Sequence, residues 1–231
     1  NAVPIQLPIG AEEAFSGVVD LIEMKAFTYD EESLGSKVNV TDIPEEMRAA
    51  AEEARAELCE KVSEVDEETL ETYVSNPDIP ADALKDGIGR SVRRNELIPV
   101  LCGSALKNKG VQLLLDAVVD YLPSPLEVRM VRGAHPGTGE IEERPADDSA
   151  PLSSMVFKLV TDPYMGRLCF VRVYSGILRK GQNVFNPRTR KRERVTKLVV
   201  FHADSRTEVD SLSSGEIGGI AGPKDITTGD S

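Results

Sequence analysis

Apolar and polar positions change their spacing several times along the chain. Residues 3–29 interleave short apolar runs with Pro and Gly. Here "GVVDLI" (17–22) and "KAFTY" (25–29) predict strands, and "GAEEAF" (10–15) a turn or single helical turn before them. Residues 30–41 are polar and turn-like. The spacing then becomes helical: Met47, Ala51, Ala54, Leu58 and Val62 form a narrow apolar stripe on a segment otherwise dominated by Glu. Its start carries Thr41 or Asp42 as cap, Pro44 in the first turn, and Glu45 and Glu46 at the positive end of the helix dipole. A second acidic helix is predicted over 66–74. "NPDIP" (76–80) breaks it, and a third helix runs over 81–94.

The segment "ELIPVLCGSA" (96–105) predicts a strand that ends in a turn of small residues. A helix over 111–122 follows, with Val111, Leu114, Leu115, Val118, Val119 and Leu122 on one face and Pro123 as its stop. Strand, turn and helix in that order indicate an α/β layer. Residues 124–151 are proline-rich with little hydrophobic pattern and predict a linker or domain boundary. From Ser153 the period becomes two. "SSMVFKLV", "LCFVRVY", "QNVFN", "RVTKLVVF" and "EIGGIA" predict short strands, separated by "DPYMG", "SGILRKG" and "PRTRKRE". Such spacing indicates a small β-barrel or sandwich. The pattern is expected to be cut at residues 229–231.

Composition narrows the class. With 40% hydrophobic and 29% charged residues over 231 positions, the chain can fold as one large domain or two ordinary ones. No window holds the roughly 18 consecutive apolar residues of a membrane helix, and the first residues carry no signal-peptide pattern. Three scattered cysteines (Cys59, Cys102, Cys169) and two histidines argue against a disulfide framework and a zinc site, and fit a reducing cytoplasm. Asn39-Val40-Thr41 matches a glycosylation sequon, which such a location leaves unused. Asn1-Ala2 resemble a cleavage remnant, so a piece of a longer protein is expected.

Charge is distributed unevenly. Residues 1–100 carry 9 basic and 23 acidic side chains, net −14, and residues 101–150 carry 5 and 8, net −3. Residues 151–231 carry 13 and 8, net +5. The two ends should therefore meet different partners. The densest basic segment is Arg188-Thr189-Arg190-Lys191-Arg192-Glu193-Arg194, either a solvated hairpin guarding a barrel edge or a phosphate contact.

The turn Ser104-Ala105-Leu106, with Lys107 after it, has two readings. Small residues allow close strand–helix packing, and they present backbone N–H groups to a ligand at a helix entrance. Asn108-Lys109-Gly110-Val111 fails as a guanine-reading NKxD motif, because Val111 stands where a carboxylate is needed. Asp86-Gly87-Ile88-Gly89 resembles a magnesium-positioning DxxG turn but falls within a predicted helix. No GxxxxGK[ST] phosphate loop is present. His202 reads as structural, and neither it nor His135 has a nucleophile or carboxylate at suggestive spacing. "DPYMG" reads first as a tight turn, with Tyr164 as an exposed contact second.

Four long stretches together carry a resemblance: "VPIQLPIG" with "GVVDLI", "CGSALKNKGVQLLLDAVVDYLPSP", "FKLVTDPYMGRLCFVRVYSGILRKGQNV" and "GPKDITTGD". In this order, over essentially the whole chain, the sequence resembles the bacterial elongation factor G family. The resemblance implies an α/β plus all-β fold: a partial P-loop GTPase domain with an α+β insert, then a translation-factor-type β-barrel. It divides the chain into an insert (1–96), the last strand and helix of the GTPase domain (97–125), a linker (126–150) and the barrel (151–231).

Ser104, Ala105 and Leu106 match that family's last guanine-contacting loop, in which the Ala105 N–H would donate to guanine O6. An adenine presents a donor there and is refused. The resemblance implies GTP or GDP and Mg2+ in the intact protein. It implies none bound to this piece, which should be inactive as an enzyme alone and has no catalytic or metal residues of its own. The ribosome is the implied partner, with the barrel on small-subunit RNA through Arg188, Arg190, Lys191, Arg192 and Arg194, and the acidic insert on the stalk protein. No membrane or DNA partner is implied, and the location is cytoplasmic. The implied activity of the intact protein is GTP-driven movement of tRNA and mRNA. The alternatives are a ribosome-protection factor of the tetracycline-resistance type and a stand-alone RNA-binding module.

Overall fold

The structure is a computed structural model and describes residues 1–30, 35–128, 130–162, 166–203 and 205–231. It divides into two compact units, Asn1–Pro123 and Ser124–Ser231. The middle of the "DPYMG" turn, residues 163–165 with Tyr164, lies outside the described residues.

The first unit holds a four-stranded antiparallel sheet of β2 (Gln6–Ile9), β3 (Gly17–Asp20), β4 (Lys25–Tyr29) and β5 (Val38–Thr41), in that order. Helices α1 (Glu45–Ser63), α2 (Glu67–Ser75) and α3 (Ala81–Arg93) follow. The expected apolar stripe of α1 is its inner face: Ala51, Leu58 and Val62 are fully buried, and Met47 and Ala54 pack at the margin with Val19, Leu21, Ile79, Leu84 and Ile88. The α1 glutamates point outward to solvent. Arg55 on the same helix turns inward. Its guanidinium donates to the carbonyls of Leu21 (2.6 Å), Ile22 (2.7 Å) and Ile79 (2.6 Å), tying α1 to the β3–β4 turn and to the segment before α3. Carbonyls that no ladder satisfies are thereby paired.

Several local expectations change. Residues 38–41, expected as turn, form the edge strand β5, whose Val38 and Val40 remain exposed. Strand β1 (Ala2–Pro4) pairs in parallel with β6 (Ile98–Val100), which makes Ala2 part of a sheet. Neither Thr41 nor Asp42 caps α1. Pro44 holds the N-cap position without a side-chain bond, Thr41 pairs with Ala26, and Asp42 is drawn 2.7 Å from the Lys25 ammonium. A side-chain cap does occur at α2, where Asp66 accepts from the Thr69 N–H.

Strand β6 leads through the turn at 104–109 into α4 (Val111–Tyr121). The predicted apolar face of α4 is largely open: Val119 is 81% exposed, and Leu114, Leu115, Val118 and Leu122 are also exposed. Only Tyr121 of this helix is buried, and Ile98 and Val100 of β6 are exposed as well. The periodicity of α4 therefore marks a surface for burial that residues 1–123 do not provide. Because no neighbour within the unit holds these side chains, Leu115→Gln with Val119→Ser should shift its stability by no more than about 0.5 kcal/mol per site in a urea melt. A larger loss would mean that the face is covered in solution.

In the second unit, residues 126–150, expected as a linker, instead hold a hairpin of β7 (Val131–Ala134) and β8 (Ile141–Arg144). Its connecting turn is built on His135, whose Nδ1 accepts from the N–H groups of Gly137 (3.2 Å) and Thr138 (3.1 Å). The hairpin leaves no mark in the hydrophobic pattern because it buries no side chain completely.

The remainder is barrel-like. Five antiparallel strands form the main sheet in the order β15 (Ser205–Glu208), β14 (Lys197–His202), β17 (Ile217–Ala221), β10 (Gly166–Ser175) and β9 (Ser153–Asp162). Two short ladders complete it, β11 (Leu178–Arg179) with β16 (Ser211–Leu212), and β12 (Asn183–Asn186) with β13 (Lys191–Arg194). Cys169, Val171, Val173, Leu198, Leu212 and Ile220 alternate inward to form the core. The chain after β17 does not stop as a cut strand. Residues 227–230 turn back, and Val156 exchanges hydrogen bonds with Gly229 (2.7 Å) and Asp230 (2.8 Å).

Candidate functional site

In the first unit the chemistry converges on the turn between β6 and α4. Ser104 and Lys109 face each other and exchange both backbone hydrogen bonds (2.8 and 3.0 Å). The Asn108 N–H reaches the Ala105 carbonyl (3.2 Å). Two left-handed residues, Asn108 (φ 51°) and Gly110 (φ 83°), let the chain reverse and enter α4 within so few positions. The result is a closed tip with Ala105, Leu106 and Lys107 outermost, and Leu106 is 97% exposed. The Ala105 N–H has no protein acceptor among the described residues. An exposed, unpaired amide beside a methyl side chain can donate to a carbonyl oxygen on a flat ligand.

Close approaches from the sheet side hold the tip. Lys109 is only 3% exposed, and its ammonium donates to the Phe15 carbonyl (3.0 Å). The Gln112 amide, in the first turn of α4, donates to the Gly35 carbonyl (3.1 Å). Gly35 itself (φ 72°) lies so near the tip that a Cβ there would stand 2.5 Å from the Asn108 oxygen and 2.7 Å from the Lys107 oxygen. In the sequence Lys109 reads only as part of a failed NKxD motif, and nothing in its neighbourhood signals burial. The "DGIG" run lies within α3, as expected. Its Gly87, Ile88 and Gly89 are buried, with the backbone at Gly87 packed on Thr69 of α2. It serves helix packing.

The acidic helices present an unexpected feature. Leu70 and Val74, one turn apart on α2, are exposed beside Glu67 and Glu71. The sequence pattern alone brings out only the charge.

The basic segment of the second unit does not behave as one patch. Residues 191–194 form strand β13 and not a hairpin tip, and only residues 187–190 turn. The Arg188 guanidinium clamps the buried Asp230 carboxylate (2.6 and 2.9 Å) and also donates to the Asp225 carbonyl. Asp230 further accepts from the Asn186 amide (2.8 Å) and from the Thr227 N–H and hydroxyl. With Arg188 as the main cause, the Asp230 carboxyl is held well below the usual carboxylate range. The Lys191 ammonium pairs with Asp225 at 2.7 Å, and Arg194 donates to the Gly181 carbonyl. Arg190 and Arg192 are exposed, and among the described residues neither has a charged partner. Of the five expected phosphate contacts, two are thus fully available. Arg192 stands directly across from Phe185, which is itself exposed. His202 ends β14 at the surface.

Among the described residues no cluster of His, Cys, Asp or Glu could hold a metal ion, and no helix is long and apolar enough to cross a membrane.

Residues 166–231 match the family model of elongation factor Tu domain 2. Among solved structures, the chain is similar to the protein ttk003000868 from Thermus thermophilus. The identity is 27%, the TM-score is 0.75, and the match covers 99% of this chain and 31% of the other. The chain thus spans about a third of the length of that protein. The domain match relates the second unit to translation factors and, through them, to translational GTPases.

Proposed function

We propose that the chain is the middle portion of a translational GTPase of the elongation factor G type, whose intact form uses GTP to drive movement of tRNA and mRNA on the ribosome. The domain match over 166–231 is the observation that carries the reading, and the likeness along the whole chain to one third of a longer protein supports it. In this reading residues 1–96 are an insert in the GTPase domain, 97–125 its last strand and helix, and 151–231 its second domain. The open apolar faces of α4 and β6 then suit contact with the rest of that domain, because exposed leucine and valine at helical spacing favour burial.

The tip at Ser104–Leu106 supplies one wall of a guanine site. The Ala105 N–H would donate to O6, and the small side chain would let the base approach. The phosphates and Mg2+ belong to a phosphate loop, which this sequence does not contain, so the piece alone should hydrolyse no GTP. Small-subunit RNA is the partner assigned to the barrel. The acidic insert, with Leu70 and Val74 on α2, is assigned to a ribosomal protein. A cytoplasmic location follows from these partners.

Ala105→Pro in the intact protein removes the proposed O6 donor. It should weaken GDP by about 1–3 kcal/mol, the cost of leaving a buried polar group unpaired. The check is calorimetric GDP titration of a variant whose circular dichroism matches the wild type. Undiminished affinity would dismiss the base-reading role. A single-turnover assay of tRNA–mRNA movement distinguishes this reading from a ribosome-protection factor, which would instead release tetracycline.

A further inference from the structure

The strand–turn–helix unit does not shape its own tip. Three contacts reach it from the four-stranded sheet and its loops, which lie 72–94 positions earlier in the chain. The Phe15 carbonyl, in the β2–β3 connection, receives the Lys109 ammonium. Gly35 lies against the Lys107 and Asn108 carbonyls and receives the Gln112 amide. The Gly35 N–H is in turn held by the Asp30 carbonyl (3.1 Å), and the Asp30 N–H by that of Lys37 (3.2 Å). Tyr29, which ends β4, is 6% exposed, and its hydroxyl has no hydrogen-bond partner among the described residues. Burial raises its pKa.

A lysine is rarely buried this completely without a specific acceptor. The Phe15 carbonyl is one such acceptor, and it links this buried ammonium to the β2–β3 connection. At Gly35 the left-handed backbone and the two carbonyls exclude any side chain without displacement of residues 107–108. The three backbone bonds within the six-residue turn close it on itself and do not tie it to the sheet.

We propose that Lys109 and Gly35 are positioning residues, through which the β2–β5 sheet sets the geometry of the Ala105 amide. Nucleotide-base selectivity then depends on Gly35 and Phe15 of the insert, and on the Lys109 that meets Phe15, rather than on the tip alone. This step rests on the guanine-reading role of the tip, but its structural half can be tested without it.

The experiment has two arms. In the first, amide hydrogen exchange is measured on the 231-residue chain for wild type, Lys109→Met, Lys109→Arg and Gly35→Ala. Lys109→Met and Gly35→Ala should speed exchange of the paired Ser104 and Lys109 amides about tenfold while Leu58 in the core of α1 keeps its protection, and Lys109→Arg should restore most of the loss. Wild-type exchange at the tip in folded Met and Ala variants overturns the proposal. So does failure of both variants to fold, which would make these contacts general supports of the unit.

In the second arm, the intact protein is titrated with GDP and ADP. Gly35→Ala should lower the preference for GDP about tenfold, a readout that general destabilisation would not move. If tip exchange rises while the GDP preference of both Gly35→Ala and Ala105→Pro is unaltered, the guanine-reading role fails and the positioning stands. If Ala105→Pro alone lowers the preference, the sheet does not govern selectivity and the inference is overturned.

Discussion

Replacing Asp66 by Ala should cost the first unit about 3–5 kcal/mol, the size expected when one member of a buried ion pair is removed and a helix cap is lost with it. Asp66 is 4% exposed and does three tasks at once. It caps α2 through the Thr69 N–H (3.1 Å) and hydroxyl (2.7 Å). It accepts from Arg90 at 2.6 Å and from Arg94 at 3.2 Å. Alanine leaves the α2 amides open and two guanidinium groups without their shared anion. The arginine heads keep some contact with water, which places the loss nearer the lower figure. Asp66→Asn keeps the cap oxygen and should recover part of it.

The acid dependence has a definite sign. The Arg90 hydrogen bonds, as the main cause, hold the Asp66 carboxyl well below the usual carboxylate range in the folded state. Its stabilisation is therefore complete above the unfolded value of about 4 and is lost as pH falls below it. Urea melts at pH 7 and pH 3 should differ less in Asp66→Ala than in wild type. Equal pH dependence of the two would show that the ion pair does not contribute.

Legibility in the sequence tracks how completely an element buries one face. The stripe on α1 is readable because Ala51, Leu58 and Val62 meet a single core. Five barrel strands are readable because each carries a short β-branched and aromatic run between turn residues, with a period of two clearest in β10, where Cys169, Val171 and Val173 are buried in turn. The β7–β8 hairpin and the edge strand β5 bury too little to leave a pattern, and β11 and β16 each bury one leucine, Leu178 and Leu212, but at two residues are too short to show a period. At α4 the periodicity locates the helix correctly but not what it packs against, since that face is exposed within this unit.

The candidate tip is legible as a composition of small residues at a helix entrance. Its supports are not, because Phe15 and Gly35 act through backbone atoms, which carry no side-chain signature. The basic segment misleads for a related reason. A run of arginines records charge but not which of them a distant carboxylate has already claimed.

That distinction sets the last expected result. Asp230→Ala should destabilise the second unit by about 2–4 kcal/mol. It strips the acceptor from the buried Asn186 amide, from both Thr227 donors and from Arg188 together. Arg188→Ser should lower the unfolding temperature of the same unit, because it breaks that network from the other side. Arg190→Ser with Arg192→Ser should leave the melting curve unchanged, since both side chains are exposed and neither has a charged partner among the described residues. If the barrel docks on small-subunit RNA through these two arginines, the double change removes two phosphate contacts. The log–log salt slope of binding should then fall by about 1.4–1.8. The measurement is binding to small ribosomal subunits across a salt series, paired with thermal melts of every variant. A lowered slope in the double variant with an unaltered melt separates RNA contact from folding. The wild-type slope in that variant would move the docking surface elsewhere on the unit, and an unaltered melt in Asp230→Ala would remove the Arg188–Asp230 network from the account of what holds the barrel together.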